Sequence, residues 1–150
     1  MKFRIITYLL FLFIAVNNFA LTADEKHVEV GVDEKLDTLL PLELEFMNSD
    51  GRKVKLSDII TKPTILALVY YECPGICSPI LTELAWTAEK IELNPGEDYQ
   101  IISLSFDHKE DSSIAAKWKV NYFNGMKGKY PEEDWYFLTG DSVSIRKLTD

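Results

Sequence analysis

Two short strand-like runs, Thr64-Ile65-Leu66-Ala67-Leu68-Val69-Tyr70 and Gln100-Ile101-Ile102-Ser103-Leu104-Ser105-Phe106, bracket a segment of a different period. Between them Ile80, Leu81, Leu84, Ala85, Ala88 and Ile91 fall at helical spacing. The first run is apolar throughout, which fits a central strand covered on both faces by helices. Strand, helix and strand in that order make a βαβ unit with parallel strands. That unit restricts the chain to the α/β class. Pro79 is tolerated only in a first helical turn, so the helix is expected to start close to Cys77. Asn94-Pro95-Gly96 is its expected stop.

The flanking segments extend the same plan. Leu42-Glu43-Leu44-Glu45-Phe46 alternates apolar and polar, the mark of a half-buried strand. Asn48-Ser49-Asp50-Gly51 is a turn, and Lys53 to Leu56 can return as its partner strand. Ser57-Asp58 offers a cap for a short helix ending before Pro63. Ser112 or Ser113 is expected to cap a helix through Ala115, Ala116, Trp118, Val120 and Tyr122. A loop with Gly125, Gly128 and Pro131 leads to a strand at Trp135 to Leu138, and Thr139-Gly140-Asp141 turns into a last helix, Ser142 to Leu148. The expected architecture is a three-layer α/β sandwich over residues 41–150. Trp86, Trp118 and Trp135 read as packing residues, and Glu132-Glu133-Asp134 as a solvated loop.

The chain has 150 residues, one domain's worth of material. Its net charge of −8 argues against nucleic acid or anionic membrane surfaces as partners. The N-terminus departs from the globular pattern. Lys2 and Arg4 precede an apolar stretch from Ile5 to Val16, which is shorter than the roughly 20 residues a spanning helix needs. Asn17-Asn18 interrupts it, and the small residues Ala20 and Ala23 follow. This is the layout of a secretory signal over residues 1–23, with an uncleaved anchor through Phe19 and Leu21 as the alternative. No cysteine lies near it, which excludes a lipoprotein anchor. Residues 24–40 read as a tether. Export would place the domain where disulfides persist, with membrane contact only through the N-terminal segment.

Cys73 and Cys77 are the only cysteines, and they sit between the first apolar run and its helix. A reactive thiol needs a lowered pKa, which the positive end of a helix supplies, and Cys77 lies nearest that end. In regular helix, Cβ atoms four residues apart stand ~5–6 Å from each other. A disulfide wants about 3.8 Å, whereas a metal held at about 2.3 Å per sulfur tolerates a wider pair. Spacing therefore leans towards a metal clamp that can also oxidise. Two thiolates favour Cu(I) or zinc. Structural zinc takes four ligands, and only His27 and His108 remain to supply them; Cu(I) is satisfied with fewer. An inert disulfide would close so short a loop that it contributes only on the order of 2 kcal/mol. No carboxylate pair has an acid–base context, and no phosphate-binding glycine loop or serine–histidine arrangement stands out.

An ordered set of motifs resembles the Sco/SenC family of copper-delivery proteins. It comprises Asp50-Gly51 with Val54 and Leu56, Lys62-Pro63, Tyr71, the C-P-x-x-C of Cys73-Pro74 to Cys77, Ser103-Leu104-Ser105-Phe106-Asp107, and Phe137-Leu138-Thr139-Gly140-Asp141. The likeness runs from about Leu42 to the end. It implies a thioredoxin-like fold and copper bound through Cys73, Cys77 and a distal histidine. That histidine is expected beyond Asp150, together with the closing strands of the sheet, so the domain is expected to be incomplete in this chain. His108, where the family often has proline, is a weak substitute ligand beside the plainer reading of an exposed loop histidine. Asp107 either orders the cysteine loop, biases the cysteine pKa or caps the following turn.

The resemblance implies an exported metallochaperone, periplasmic or anchored to the outer face of the inner membrane, serving the copper-bearing subunit of cytochrome c oxidase or another periplasmic cuproprotein. It acts by copper transfer, by thiol reduction through Cys73 and Cys77, or by both. The alternative is a thiol–disulfide oxidoreductase acting on protein cysteine pairs. A degenerate domain that only binds a partner is the third class.

Overall fold

The computed structural model describes residues 35–126 and 130–150. The signal or anchor reading of residues 1–23, the tether up to residue 34, His27 and Gly128 lie outside the described residues. No helix among the described residues is long and apolar enough to cross a membrane. The unit from Leu39 to Asp150 is built on one five-stranded sheet.

Its strands are β1 (Glu45–Asn48), β2 (Lys53–Lys55), β3 (Thr64–Val69), β4 (Gln100–Ser105) and β5 (Trp135–Thr139), in the spatial order β2-β1-β5-β4-β3. β3, β4 and β5 run parallel, with Leu66 opposite Ile102 and Ile102 opposite Tyr136. β1 is antiparallel to both β2 and β5. The helices are α1 (Leu56–Ile59), α2 (Cys77–Ala88), α3 (Ser112–Gly125) and α4 (Ser142–Thr149). Side chains of α2 and α3 pack with Val69, Ile101, Trp135 and Phe137 in one core. Leu56, Ile59 and Ile145, from α1 and α4, pack with Phe46, Ile102, Leu104 and Leu138 in the other. These cores on opposite faces make the three-layer sandwich, and β3-α2-β4 is the expected βαβ unit.

The first apolar run is not the central strand. Among the described residues β3 pairs with β4 alone, and Ile65 and Leu68 are each 40% exposed. The most buried strand is β4, flanked by β5 and β3, whose six residues are all buried although three are polar. Hydrogen bonds make this possible: Trp135 Nε1 donates to Ser103 Oγ at 2.9 Å and Gln100 Nε2 to the Ile59 carbonyl at 2.7 Å. Apolarity alone reads β3 as the more buried strand because it takes no account of polar groups paired inside the core.

Boundaries move for similar local reasons. Leu42 to Leu44 do not pair in the sheet; the Leu44 and Leu42 carbonyls instead accept the Leu56 and Ser57 amides at 3.0 and 2.8 Å, tying down α1. Leu56 therefore opens a helix rather than ending a strand. No side chain caps α1, because Ser57 Oγ bonds to Asp58 Oδ1 at 3.1 Å. α2 ends at Ala88, short of Ile91 and Asn94, where Tyr99 donates its hydroxyl to the Ala88 carbonyl at 3.4 Å. Asp111, not Ser112 or Ser113, caps α3 by accepting the Ser113 and Ile114 amides, and Asp141 caps α4 in the same way. Trp135 is wholly buried, but Trp86 is 55% exposed with the Lys90 ammonium 4.0 Å above its ring, so it is not a core residue.

Gly140 lies between β5 and α4 where a Cβ would stand 2.6 Å from Phe46 Cδ1 and 3.4 Å from Ile145 Cγ1. Phe46 is buried and has nowhere to retreat. Gly140→Ala is therefore expected to lower stability by about 1–3 kcal/mol. A fall in the urea midpoint at unchanged m-value checks this.

Candidate metal and redox site

The cysteine loop leaves the carboxyl end of β3, where the Val69 carbonyl accepts the Phe106 amide at 2.8 Å. Tyr71 is the first residue to turn inward. Its hydroxyl donates to the carbonyls of Ser103 at 2.8 Å and Leu138 at 3.1 Å, and its ring stacks on Phe137 at 5.9 Å. The phenol thus fastens the start of the loop to two neighbouring strands at once.

A buried carboxylate holds the same point from the other side. Glu110 Oε2 accepts the Tyr71 amide at 2.8 Å and the Ser105 hydroxyl at 2.5 Å, while Oε1 accepts the Glu72 amide at 2.7 Å. Beyond this anchor Pro74, Gly75 and Ile76 are exposed, and Cys77 turns back into the core as the first residue of α2.

Both cysteines are free thiols, and their surroundings differ. Cys73 is half-buried, and its sulfur meets several donors. The Tyr70 hydroxyl has the largest effect, followed by the backbone N–H of Cys77; the Gly75 N–H, at 3.4 Å, and the Cys77 thiol add to it. A thiolate there is stabilised by hydrogen bonds, which lower the Cys73 pKa to about 7. The same bond makes the Tyr70 hydroxyl harder to ionise. Burial pushes the Cys77 thiol up, and its donation towards Cys73 keeps the proton on it.

The thiol more inclined to ionise is therefore Cys73 rather than the residue nearest the helix end. The helix N-terminus does act, but its first N–H, that of Cys77, points to the sulfur of Cys73. Cys77 itself spends its side chain on the core beside Leu81. Tyr70, which reads in sequence as the end of a strand, is the donor that matters most.

His108 is exposed, and it lines surface cavities with Ser142, Ile145 and Arg146 of α4. Asp107 Oδ1 accepts the Lys109 amide at 2.9 Å and so caps its own turn. No group of three or more His, Cys, Asp or Glu side chains among the described residues is placed to hold a metal ion. The donor set at the loop is two sulfurs, one already inclined to ionise near neutral pH. That set fits a soft monovalent cation such as Cu(I), and falls short of the four ligands of structural zinc. It equally fits a nucleophilic thiol backed by a buried second thiol.

Known proteins resemble this chain in sequence and in fold. The sequence profile of the SCO1/SenC family matches residues 33–150. Protein SCO1 homolog 1, mitochondrial, from Arabidopsis thaliana is 33% identical over 91 residues, which are 58% of this chain and 27% of that protein. A crystal structure of a protein from Aquifex aeolicus VF5 is 26% identical at a TM-score of 0.61, covering 74% of this chain and 62% of its own. Arabidopsis thaliana ScoI with copper bound is 26% identical at 0.54, with coverages of 70% and 60%. BsSco, described through a disulfide switch as a member of the Sco family of cytochrome c oxidase assembly proteins, is 26% identical at 0.50, with coverages of 73% and 61%. The chain thus spans 27% of the curated relative and 60–62% of the three solved chains. The shared fold is the thioredoxin-like α/β sandwich.

The unequal thiols set a pH signature. Alkylation of the reduced protein by iodoacetamide is expected to label Cys73 first, with a rate rising through a midpoint near pH 7 as the thiolate forms. Tyr70→Phe removes the leading donor, so its midpoint should lie higher and its rate at pH 6.5 lower. Mass spectrometry of the labelled peptide over a pH series reads both.

Proposed function

The chain belongs to the SCO1/SenC family, whose members take part in copper binding and cytochrome c oxidase assembly, and on that premise we propose that it is an exported copper chaperone. In this reading Cys73 and Cys77 take up Cu(I) and pass it to a copper-bearing protein, with the copper subunit of cytochrome c oxidase as the first candidate. One observation carries the proposal: a free thiol pair at the start of α2, with Cys73 half-buried among hydrogen-bond donors that lower its pKa and Cys77 buried in the core, which raises its own.

The chemistry follows from that inequality. Copper is the cargo. The Cys73 thiolate makes the first contact, and binding by Cys77 then releases the proton that burial had kept on its sulfur. Cys73 is the more accessible of the two, so a thiolate from the client meets the metal on that side and can replace it stepwise. Export rests on the basic, apolar and small-residue layout of the first 23 positions.

A second reading is favoured by the same contrast. An accessible thiolate of low pKa attacks a client disulfide to give a mixed disulfide, expelling one client thiolate. Cys77 loses its proton and attacks Cys73, releasing the second client thiolate and leaving a Cys73–Cys77 disulfide. Two electrons pass to the client. This reaction suits reduction of the cysteines that are to receive copper.

Titration of the full reduced chain against a Cu(I) chelator is expected to show one copper per chain. Cys73→Ser and Cys77→Ser should each abolish tight binding. Stoichiometric binding that survives in both variants would remove the copper reading.

A further inference from the structure

Glu110 sits in a segment, Asp107-His108-Lys109-Glu110-Asp111, whose composition suggests a solvated loop, yet it is 7% exposed. It forms no ion pair with any described residue. A carboxylate removed from water without a cation needs other partners, and each of its oxygens has them. Two are backbone amides, those of Tyr71 and Glu72, immediately before Cys73. The third is the hydroxyl of Ser105, the last residue of the fully buried strand β4. The carboxylate, 39 positions from Tyr71 in sequence, therefore joins the cysteine loop to the most buried strand of the sheet.

We propose that Glu110 is a positioning residue for the thiol pair: by gripping the Tyr71 and Glu72 amides it holds Cys73 and Cys77 as an open dithiol ready for a soft cation. This rests on the copper reading for its purpose and on the hydrogen bonds for its geometry. The far end of the loop is fixed by α2, which begins at Cys77. Joining the two sulfurs requires them to close to about 2.05 Å. With one end set by a helix and the other by Glu110, the loop resists that closure. The exposed Lys117–Glu72 ion pair, at 3.7 Å between side chains both more than half exposed, adds little.

The test compares full-length wild type with Glu110→Gln, which keeps the shape of the side chain but leaves it a single acceptor oxygen. Competition with a Cu(I) chelator is expected to show roughly 10–100-fold weaker binding in the variant, as for other groups that orient metal ligands. The second measurement equilibrates the pair with glutathione, where two glutathione thiols give one glutathione disulfide as the protein disulfide takes up two electrons and two protons. Loss of the grip should shift that equilibrium about tenfold towards the protein disulfide, roughly 30 mV lower in potential. Loss of a nearby negative charge alone favours the thiolate and shifts it the other way, so the sign separates positioning from simple electrostatics. Circular dichroism and a cooperative urea transition confirm the fold. Should Glu110→Gln not fold, Ser105→Ala, which frees the carboxylate from β4, must shift both measurements in the same directions. Unchanged values, or a shift towards the dithiol, overturn the proposal. If wild type binds no copper through its cysteines, the copper reading falls, and the glutathione equilibrium still decides whether Glu110 holds the loop.

Discussion

Tyr71 is held at both ends of its own residue. Its amide is bound by a buried carboxylate at 2.8 Å, and its hydroxyl by the carbonyls of two adjacent strands. The phenol needs these partners because it is buried, and burial makes its ionisation still harder than usual. Once this residue is fixed, the chain has only five further positions before α2 begins. The short run from Glu72 to Ile76 must therefore turn back on itself, and that turn brings the sulfur of Cys73 to the first amide of the helix. The site is thus a consequence of where a neighbouring tyrosine is anchored.

From that placement the division of labour between the thiols follows. One sulfur lies where an O–H and backbone N–H groups converge, so its negative charge is stabilised without a cation. The other is buried in the core under α2, which disfavours charge. Acting together they are complementary: a nucleophile or first ligand at the surface, and a second sulfur that gives up its proton only when something worth binding has arrived. The lowering of the Cys73 pKa comes from hydrogen-bond donors, with burial opposing it.

Much of this was legible in the residues. Period and apolarity located the βαβ unit, and proline tolerance placed the start of α2 at Cys77. The last strand and last helix were equally clear, because Thr139-Gly140-Asp141 marks the turn between them. What escaped was whatever depends on partners far away in sequence. The apolar pattern of β3 could not reveal that β5 would insert beside β4 and leave β3 at an edge. β4 read as a core strand, but the sequence could not show that bonds to Trp135 and Ile59 let its serine and glutamine be buried more fully than β3. Glu110 gave no signal at all, since a charged residue among charged neighbours reads as solvated. The inequality of the two thiols was hidden for a related reason. Proximity to a helix end names the residue whose backbone is there, while the field of that end acts on whichever sulfur the loop brings over it.

The central claim is that a loop anchored through Tyr71 presents Cys73 and Cys77 together as two donors to one Cu(I) ion. X-ray absorption at the copper edge of the Cu(I)-loaded chain tests it most directly. The account predicts a first shell containing both sulfurs, with one lost in Cys73→Ser and one lost in Cys77→Ser. A shell of nitrogen and oxygen alone, or one indifferent to either substitution, would contradict it.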